Sequence, residues 1–405
     1  MRGLRSLPLV FVALATACAS SPSGPDPIQG LPRELTPREA EVLRASNGFG
    51  FDLFGTLADD TPDDNVFVSP LSASMALGMT ANGASGGTWT AMAGVLGFEE
   101  MTVEEMNRAY RDLIDLLVGL DPAVETLIAN AIWHRTGFDL RGPFVEDVRS
   151  HFDAEVASLD FTSPEALGVV NGWASANTRG RIPKILERID PAWTLILMNA
   201  VYFKGLWTEP FDPDNTRTGD FRRADGTTRS VPFMSQMVEK FPGVATETYT
   251  AAELPYGGEA FAMVVVVPTE GHTLEELVAG LDAAAWDALV AGFGEPAFHV
   301  VMPRFELEYE ADLVDVLTRL GMGVAFTAGA DFSNLSEHPF WIDLVKQKTF
   351  LKVDEEGTEA AAVTVVAGPT SMPPTVIADR PFLIAIRERF SGAILFLGQV
   401  TDPGA

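Results

Sequence analysis

Three sets of residues in this sequence have types and spacing that could carry chemistry. The first is Gly83-Ala84-Ser85-Gly86-Gly87, which satisfies G-x-S-x-G, the elbow that presents a nucleophilic serine to an acyl substrate. That chemistry needs the serine on a sharp turn from a strand into a helix. Ser74 to Ala81 have helical rather than strand character, so a Gly-rich turn accounts for the match. The second set is five histidines, His134, His151, His272, His299 and His338. None stands in a catalytic setting, and no H-E-x-x-H, C-x-x-C, P-loop or G-x-G-x-x-G pattern occurs. The third is Cys18, the single cysteine of the chain. The sequence therefore offers no enzyme site and calls for no cofactor or metal.

Composition narrows the partners. The 405 residues are 47% hydrophobic and 21% charged, as in an ordinary soluble globular protein. Acidic residues outnumber basic ones 56 to 28, a net charge of −28. No cationic excess exists to neutralise nucleic acid, heparin-like polyanions or anionic lipid. With one cysteine no intrachain disulfide can form, so stability must come from the core.

The N-terminus stands apart. Arg2 and Arg5 precede a short apolar run from Leu7 to Leu14, too short to span a membrane and fitting an export signal over residues 1–17. Ala15-Thr16-Ala17-Cys18 resembles a lipobox, which implies lipidation of Cys18. Plain cleavage after Ala17 is the alternative. Residues 18–37 are rich in Ser, Pro and Gly, as in a semi-rigid tether to a body over 38–405. The expected location is the cell envelope through a lipid anchor, or the extracellular space.

Helical spacing covers Pro37 to Leu57, Ser72 to Met79, Pro164 to Arg179, Leu274 to Val290 and Leu313 to Leu320. Thr88 is placed to cap a helix running through Leu96. Strand-like runs are Asn65 to Val68, Thr126 to Trp133, Leu195 to Phe203, Phe261 to Pro268 and His299 to Leu307. The last pair, Pro381 to Arg387 and Ala393 to Val400, reads as a hairpin. Helices dominate early and strands late, which is an α+β pattern.

One stretch, Val353 to Phe382, fits none of these elements. After Asp354-Glu355-Glu356 it continues Gly357-Thr358-Glu359-Ala360-Ala361-Ala362, then the β-prone Val363-Thr364-Val365-Val366. Gly368-Pro369 and Met372-Pro373-Pro374 close it with turn and polyproline signals. Composition alone fits a long surface loop whose middle could become a strand.

The motifs, taken together, resemble the serpins from about Leu43 to Pro403. Asn65 to Ser72 is similar to the family's N-x-x-x-S-P-x-S element, continuing through Ala76 to Met79 and Gly83-Ala84 to Thr88. Asn171, Trp173, Thr178, Gly180 and Ile182 follow N-x-W-x-x-x-x-T-x-G-x-I. Asn199 to Trp207 is similar to the strand signature N-A-x-Y-F-K-G-x-W, Glu355 to Ala362 to the hinge, and Pro381 through Gly398 to the C-terminal signature. Five such pieces in this order are very specific.

The resemblance implies one α+β domain of about nine helices and three β-sheets with an exposed reactive-centre loop. It implies a monomeric inhibitor of a serine protease rather than an enzyme. The protease would cut the loop and be held as a covalent acyl complex while the loop's N-terminal side enters the main sheet. The hinge would be Glu356, Gly357, Thr358, Glu359, Ala360, Ala361 and Ala362, with Glu359 tolerated if its side chain faces solvent. Ser69, Ser72 and Asn199 would lie in the shutter behind the sheet, and Trp207 in the breach where the loop enters. Gln347 stands where many relatives carry histidine. It can donate and accept like a neutral imidazole but cannot become charged. Counting forward from Gly357 puts the scissile bond at Ser371-Met372, and counting back from Pro373-Pro374 puts it at Thr370-Ser371. Either offers a small neutral residue, suited to elastase-like or subtilisin-like proteases. A non-inhibitory carrier or binding protein of the same fold is the other reading.

Overall fold

The computed structural model describes residues 27–358 and 374–404. Cys18, the hinge residues Glu359, Ala360, Ala361 and Ala362, and the bait residues Thr370, Ser371 and Met372 lie outside the described residues. The first half runs α1 (Pro37–Asp60), β1 (Val66–Val68), α2 (Pro70–Ala81), α3 (Gly86–Leu96), α4 (Val103–Leu117), β2 (Val124–Arg135), α5 (Gly142–Phe152), β3 (Glu155–Leu159), α6 (Pro164–Asn177) and β4 (Leu195–Leu206). It continues with β5 (Arg217–Arg222), β6 (Thr228–Ala245), β7 (Tyr249–Tyr256), β8 (Phe261–Pro268), α7 (Leu274–Ala279), α8 (Ala283–Ala291) and β9 (Gly294–Pro303). The last part is β10 (Phe305–Asp312), α9 (Val314–Leu317), β11 (Leu344–Asp354), β12 (Gly357–Thr358), β13 (Thr375–Ile377), β14 (Phe382–Glu388) and β15 (Ile394–Val400).

The main sheet has strand order β10-β11-β12-β4-β2-β3. The remaining strands form one hydrogen-bonded network, β1-β15-β14-β8-β7-β6-β9-β13, with β5 on β6. The long β6 is what joins them. It pairs with β5 and β9 along one part and with β7 at its far end, and its register slips between Gln236 and Phe241. Two sheets that would otherwise be separate thus share a strand, and with the main sheet they form the expected α+β architecture.

Strands buried on both faces explain the long apolar runs. Every residue of β8 is buried, as is nearly all of β4. α2 is buried all round, and its small residues allow that. Gly78 leaves room for the Tyr110 ring, whose edge would stand 2.8 Å from a Cβ there. Ser74 Oγ meets the hydroxyl of Tyr110 at 2.6 Å and accepts from Ser46 Oγ at 3.0 Å, so α1, α2 and α4 are tied by a buried hydroxyl chain. This bundle supports the middle of the main sheet from behind.

Four expectations change. Thr88 does not cap α3. Ser85 is the N-cap residue and Thr88 lies inside the helix, where its Oγ1 accepts from Asp331 N at 2.8 Å. The helix expected over Leu274 to Val290 is broken at Gly280, and Asp282 caps a second one by accepting from Ala285 N. The strand expected over His299 to Leu307 is two strands in different sheets, β9 and β10, which the chain joins through Arg304. The last helix is only Val314–Leu317, followed by a wider π turn over Thr318–Met322 in which Gly321 has φ 117°.

Candidate functional site

Ser85 joins two helices, α2 and α3, so the strand-to-helix strain that a nucleophile elbow needs is missing. Among the described residues no three His, Cys, Asp or Glu side chains form a group able to hold a metal ion. What the structure builds instead is a seam between two strands of the main sheet. β4 and β11 run parallel and pair from Leu344↔Ile196 up to Thr349↔Val201. Above that point they separate. At the far end β12 enters between them, pairing Gly357 and Thr358 with Leu206 and Gly205 of β4, and with Asp354 and Val353 of β11. The start of the predicted hinge is thus already a strand of the sheet.

The lower half of the seam is locked from behind. Gln347 on β11 accepts from Ser69 N at 3.0 Å and donates to Ser69 O at 3.1 Å, a two-point clamp on the backbone that opens α2. Its Nε2 also approaches Asn199 Oδ1 across the seam at 3.5 Å, and Asn199 Nδ2 donates to Asn130 Oδ1 at 2.9 Å on β2. Gln347 is opposite Asn199 in register, and Asn199 is opposite Asn130. One rung of amides therefore crosses three strands. Ser69 Oγ donates to Leu395 O at 2.6 Å, and Thr349 Oγ1 donates to Phe67 O at 2.6 Å, which fixes the rung to the second sheet. Ser72 is fully buried, and its hydroxyl makes no hydrogen bond among the described residues. The Gln347 carboxamide thus supplies both a donor and an acceptor, and carries no proton that titrates.

The upper end is built around Trp207. Its ring stacks on Tyr256 with centroids 4.5 Å apart, meets Phe211 edge-on, and donates from Nε1 to Asp354 O at 3.0 Å. Backbone N–H groups of Trp207 and Phe211 donate to Glu356 O and Glu355 O at 2.9 and 2.7 Å. Thr358 is fully buried and its hydroxyl meets that of Tyr256 at 2.9 Å. Burial pushes the Tyr256 phenol well above its ordinary value, which keeps it a neutral partner. Gly357 has φ 151°. A Cβ there would overlap Gly205 O and lie 2.7 Å from Leu206 Cα and 2.9 Å from Trp207 N. Only glycine fits both the conformation and the space.

Two neighbouring carboxyls have opposite surroundings. Glu355 is buried beside Arg304, whose Nε donates to its Oε1 at 2.6 Å, and it also accepts from the Thr216 hydroxyl. Burial opposes its charge, but these bonds outweigh it and hold the carboxyl below the ordinary value. Glu356 has a buried Oε2 with no hydrogen-bond partner among the described residues. Desolvation, with repulsion from Asp354 and Glu355, raises it.

Of the residues singled out from sequence, Ser69, Asn199 and Gln347 meet at the lower lock, and Trp207, Glu356, Gly357 and Thr358 at the upper one. Tyr256, Arg304, Asn130 and Thr349 were not among them. Arg304 could have been found, since it is the charge that follows Pro303 inside an apolar pattern. Tyr256 and Asn130 have no such signal because their partners lie far away in sequence.

Comparison with known proteins follows this geometry. The family model described as Serpin (serine protease inhibitor) matches residues 44–403. Glia-derived nexin of Rattus norvegicus is 33% identical over 367 residues, 87% of this chain and 91% of that protein. Leukocyte elastase inhibitor of Bos taurus is 34% identical over 387 residues, 90% of this chain and 100% of that one. Among solved structures, human thyroxine-binding globulin complexed with thyroxine superposes with a TM-score of 0.85 at 29% identity, covering 91% of this chain and 100% of that one.

Two outcomes follow for the upper lock. Gly357→Ala expels the hinge, and amide exchange at Thr358 is expected to rise to the rate of an exposed loop, with the Trp207 environment altered in fluorescence. A carboxyl whose pKa is raised by folding, here Glu356, binds its proton more tightly when folded. Stability therefore rises as pH falls from neutral through its folded value, and stops rising near the ordinary 4.5. Glu355 has the opposite sign, and its contribution is lost only as pH falls below 4.5 towards its lowered value. Melting curves from pH 7 to 3 are expected to peak near the ordinary carboxyl value, and Glu356→Gln is expected to flatten the branch above it.

Proposed function

Because the chain belongs to the serpin family, we propose that it inhibits a serine protease as a suicide substrate, by insertion of its cleaved loop into the β4–β11 seam. The observation that carries this is β12, since Gly357 and Thr358 already occupy the first positions of an added strand, and β4 and β11 pair directly only from Leu344↔Ile196 to Thr349↔Val201. Serpin loop insertion is a known example of strand addition and of stored strain released by cleavage. Each new backbone bond contributes about 1 kcal/mol net. About a dozen of them, with burial of alternate side chains, match a typical folding margin of about 5–15 kcal/mol. That is enough to carry an acyl-linked protease along before deacylation.

The bait is Thr370-Ser371 or Ser371-Met372, with small neutral residues that suit an elastase-like or subtilisin-like protease. The similarity to leukocyte elastase inhibitor supports that class. In sequence Thr358 is followed by Ala360, Ala361 and Ala362 without proline or bulk, and Glu359 is the one exception, tolerated if its side chain faces solvent during the proposed insertion. The proposed organisation is a signal over 1–17, a tether over 18–37 lipidated at Cys18, and one domain over 38–405 acting as a monomer outside the cell or on its envelope. No helix of the described residues is long and apolar enough to cross a membrane. The excess of acidic residues gives no reason to add a polyanion as cofactor.

Carriage of a small amphipathic anion is the second reading, and the likeness to thyroxine-binding globulin favours it. A cavity of about 440 Å³ lies between α1, α7 and the second sheet, lined by Arg222, Arg223, Arg380, His272 and Leu274 among others. Its guanidinium groups are already paired, Arg223 with Asp402 and both Arg222 and Arg380 with Asp379. That leaves inhibition as the better reading. Incubation with pancreatic elastase and with subtilisin is expected to give an SDS-stable covalent complex, and clean cleavage without complex would sink the proposal. Thr358→Arg, which puts a charge into a fully buried position, is expected to turn the inhibitor into a substrate.

A further inference from the structure

We infer that Lys204 and Lys352 form a carboxylate-binding pair on the outer face of the main sheet, and that its ligand is Glu359, the charged residue that follows Thr358. This rests on the insertion reading above. Gly357 and Thr358 fix the register of an added strand, since Thr358 lies opposite both Val353 of β11 and Gly205 of β4. Continued by one residue, that strand brings Glu359, which lies outside the described residues, between Lys352 and Lys204. Opposed residues of neighbouring strands project to the same face with Cβ atoms about 4.5–5.5 Å apart, so a glutamate there reaches both ammonium groups.

Alternation along the strands settles which face this is. Gln347 and Thr349 reach Ser69 and Phe67 on one side of the sheet, whereas Phe350 packs with Ile196, Met198 and Ala200 on the other, beneath α6. Lys352 and Lys204 belong to the Phe350 side. There the Lys352 side chain is 42% exposed and Lys204 is half-buried, so both heads stay accessible to an entering carboxylate. The row that crosses the sheet at this height is already charged. Glu306 of β10 is opposite Lys352, and Glu125 of β2 is opposite Lys204. Glu125 also accepts from Arg179 Nε at 3.0 Å, and Lys352 Nζ lies 3.4 Å from Asp354 Oδ2. In order across the sheet the row is Glu306, Lys352, Lys204, Glu125 and Arg179, so the signs alternate everywhere except across the seam. An inserted Glu359 completes the alternation. Lower on the same face the sheet already uses such contacts, with Lys348 Nζ 2.6 Å from Glu308 and 3.5 Å from Glu310. The charge in the hinge is thus an attractive element, captured by the first row that the strand meets beyond Thr358.

The test compares the full chain with three variants: Glu359→Gln, the double reversal Lys204→Glu/Lys352→Glu, and the triple change that adds Glu359→Lys to that pair. Each is mixed with subtilisin, and the ratio of inhibitor cut without trapping to inhibitor trapped is measured. Slower insertion lets deacylation compete, so this ratio rises. Exposed ion pairs of this kind are weak, and losing them is expected to raise the ratio by about threefold to fivefold in Glu359→Gln. The double reversal is expected to raise it further, and the triple change to bring it back to the parent value. A charge that is merely tolerated predicts an unchanged or lower ratio for Glu359→Gln, and that result would overturn the pair. A triple variant no better than the double would overturn it too, because the lysines then act through the fold and not through Glu359. In both cases the parent still traps protease. A parent that traps nothing and gains no heat stability when its loop is cut overturns the insertion reading itself, and the pair with it.

Discussion

β4 and β11 are paired over only part of their length, and the function proposed for this chain depends on that incompleteness. A parallel ladder joins them at one end, with an amide rung behind it at Gln347 and Asn199, and Gly357 and Thr358 bridge them at the other. A sheet paired throughout would have no place for a further strand. Under the proposed mechanism the Gln347–Ser69 clamp would resist separation of the two strands and the Gly357–Thr358 pairing would begin it.

Around this seam the rest of the protein acts as a frame. α2 is buried on every side because it must sit behind the opening strands and still present the Ser69 backbone to Gln347. The second sheet receives Ser69 Oγ at Leu395 O, and its β7–β8 turn receives the ends of β4 and β2. Arg304 occupies the crossing between β9 and β10 and neutralises Glu355 at the mouth.

Much of this was legible in sequence because it rests on local patterns. The fully apolar β8 was read to the residue, and Ser69, Asn199, Trp207 and Gly357, which the structure gathers along the seam, stand in ordered motifs. Other parts failed for physical reasons. β9 and β10 read as one strand because Arg304 alone separates Pro303 from Phe305, with no glycine to mark the break. The helix over Leu274 to Val290 hid its break, since Gly280 alone is tolerated within a helical pattern and the Asp282 cap was not weighed. α4 has no counterpart among the predicted elements, although Thr102 and Glu105 form a capping box and Met106, Tyr110, Leu113 and Leu117 follow helical spacing. The hydrogen bond from Ile28 N to Gly258 O could not be read at all, because a Ser/Pro/Gly-rich segment shows nothing of the distant glycine that accepts it.

The central claim is that the seam is a vacant strand position whose filling stabilises the sheet. The most direct measurement is the melting temperature of the purified protein before and after a single cut between Gly368 and Pro373. About a dozen added backbone bonds in a domain of this size predict a rise on the order of 20 °C or more. An unchanged or lowered melting temperature after complete cleavage would contradict the account.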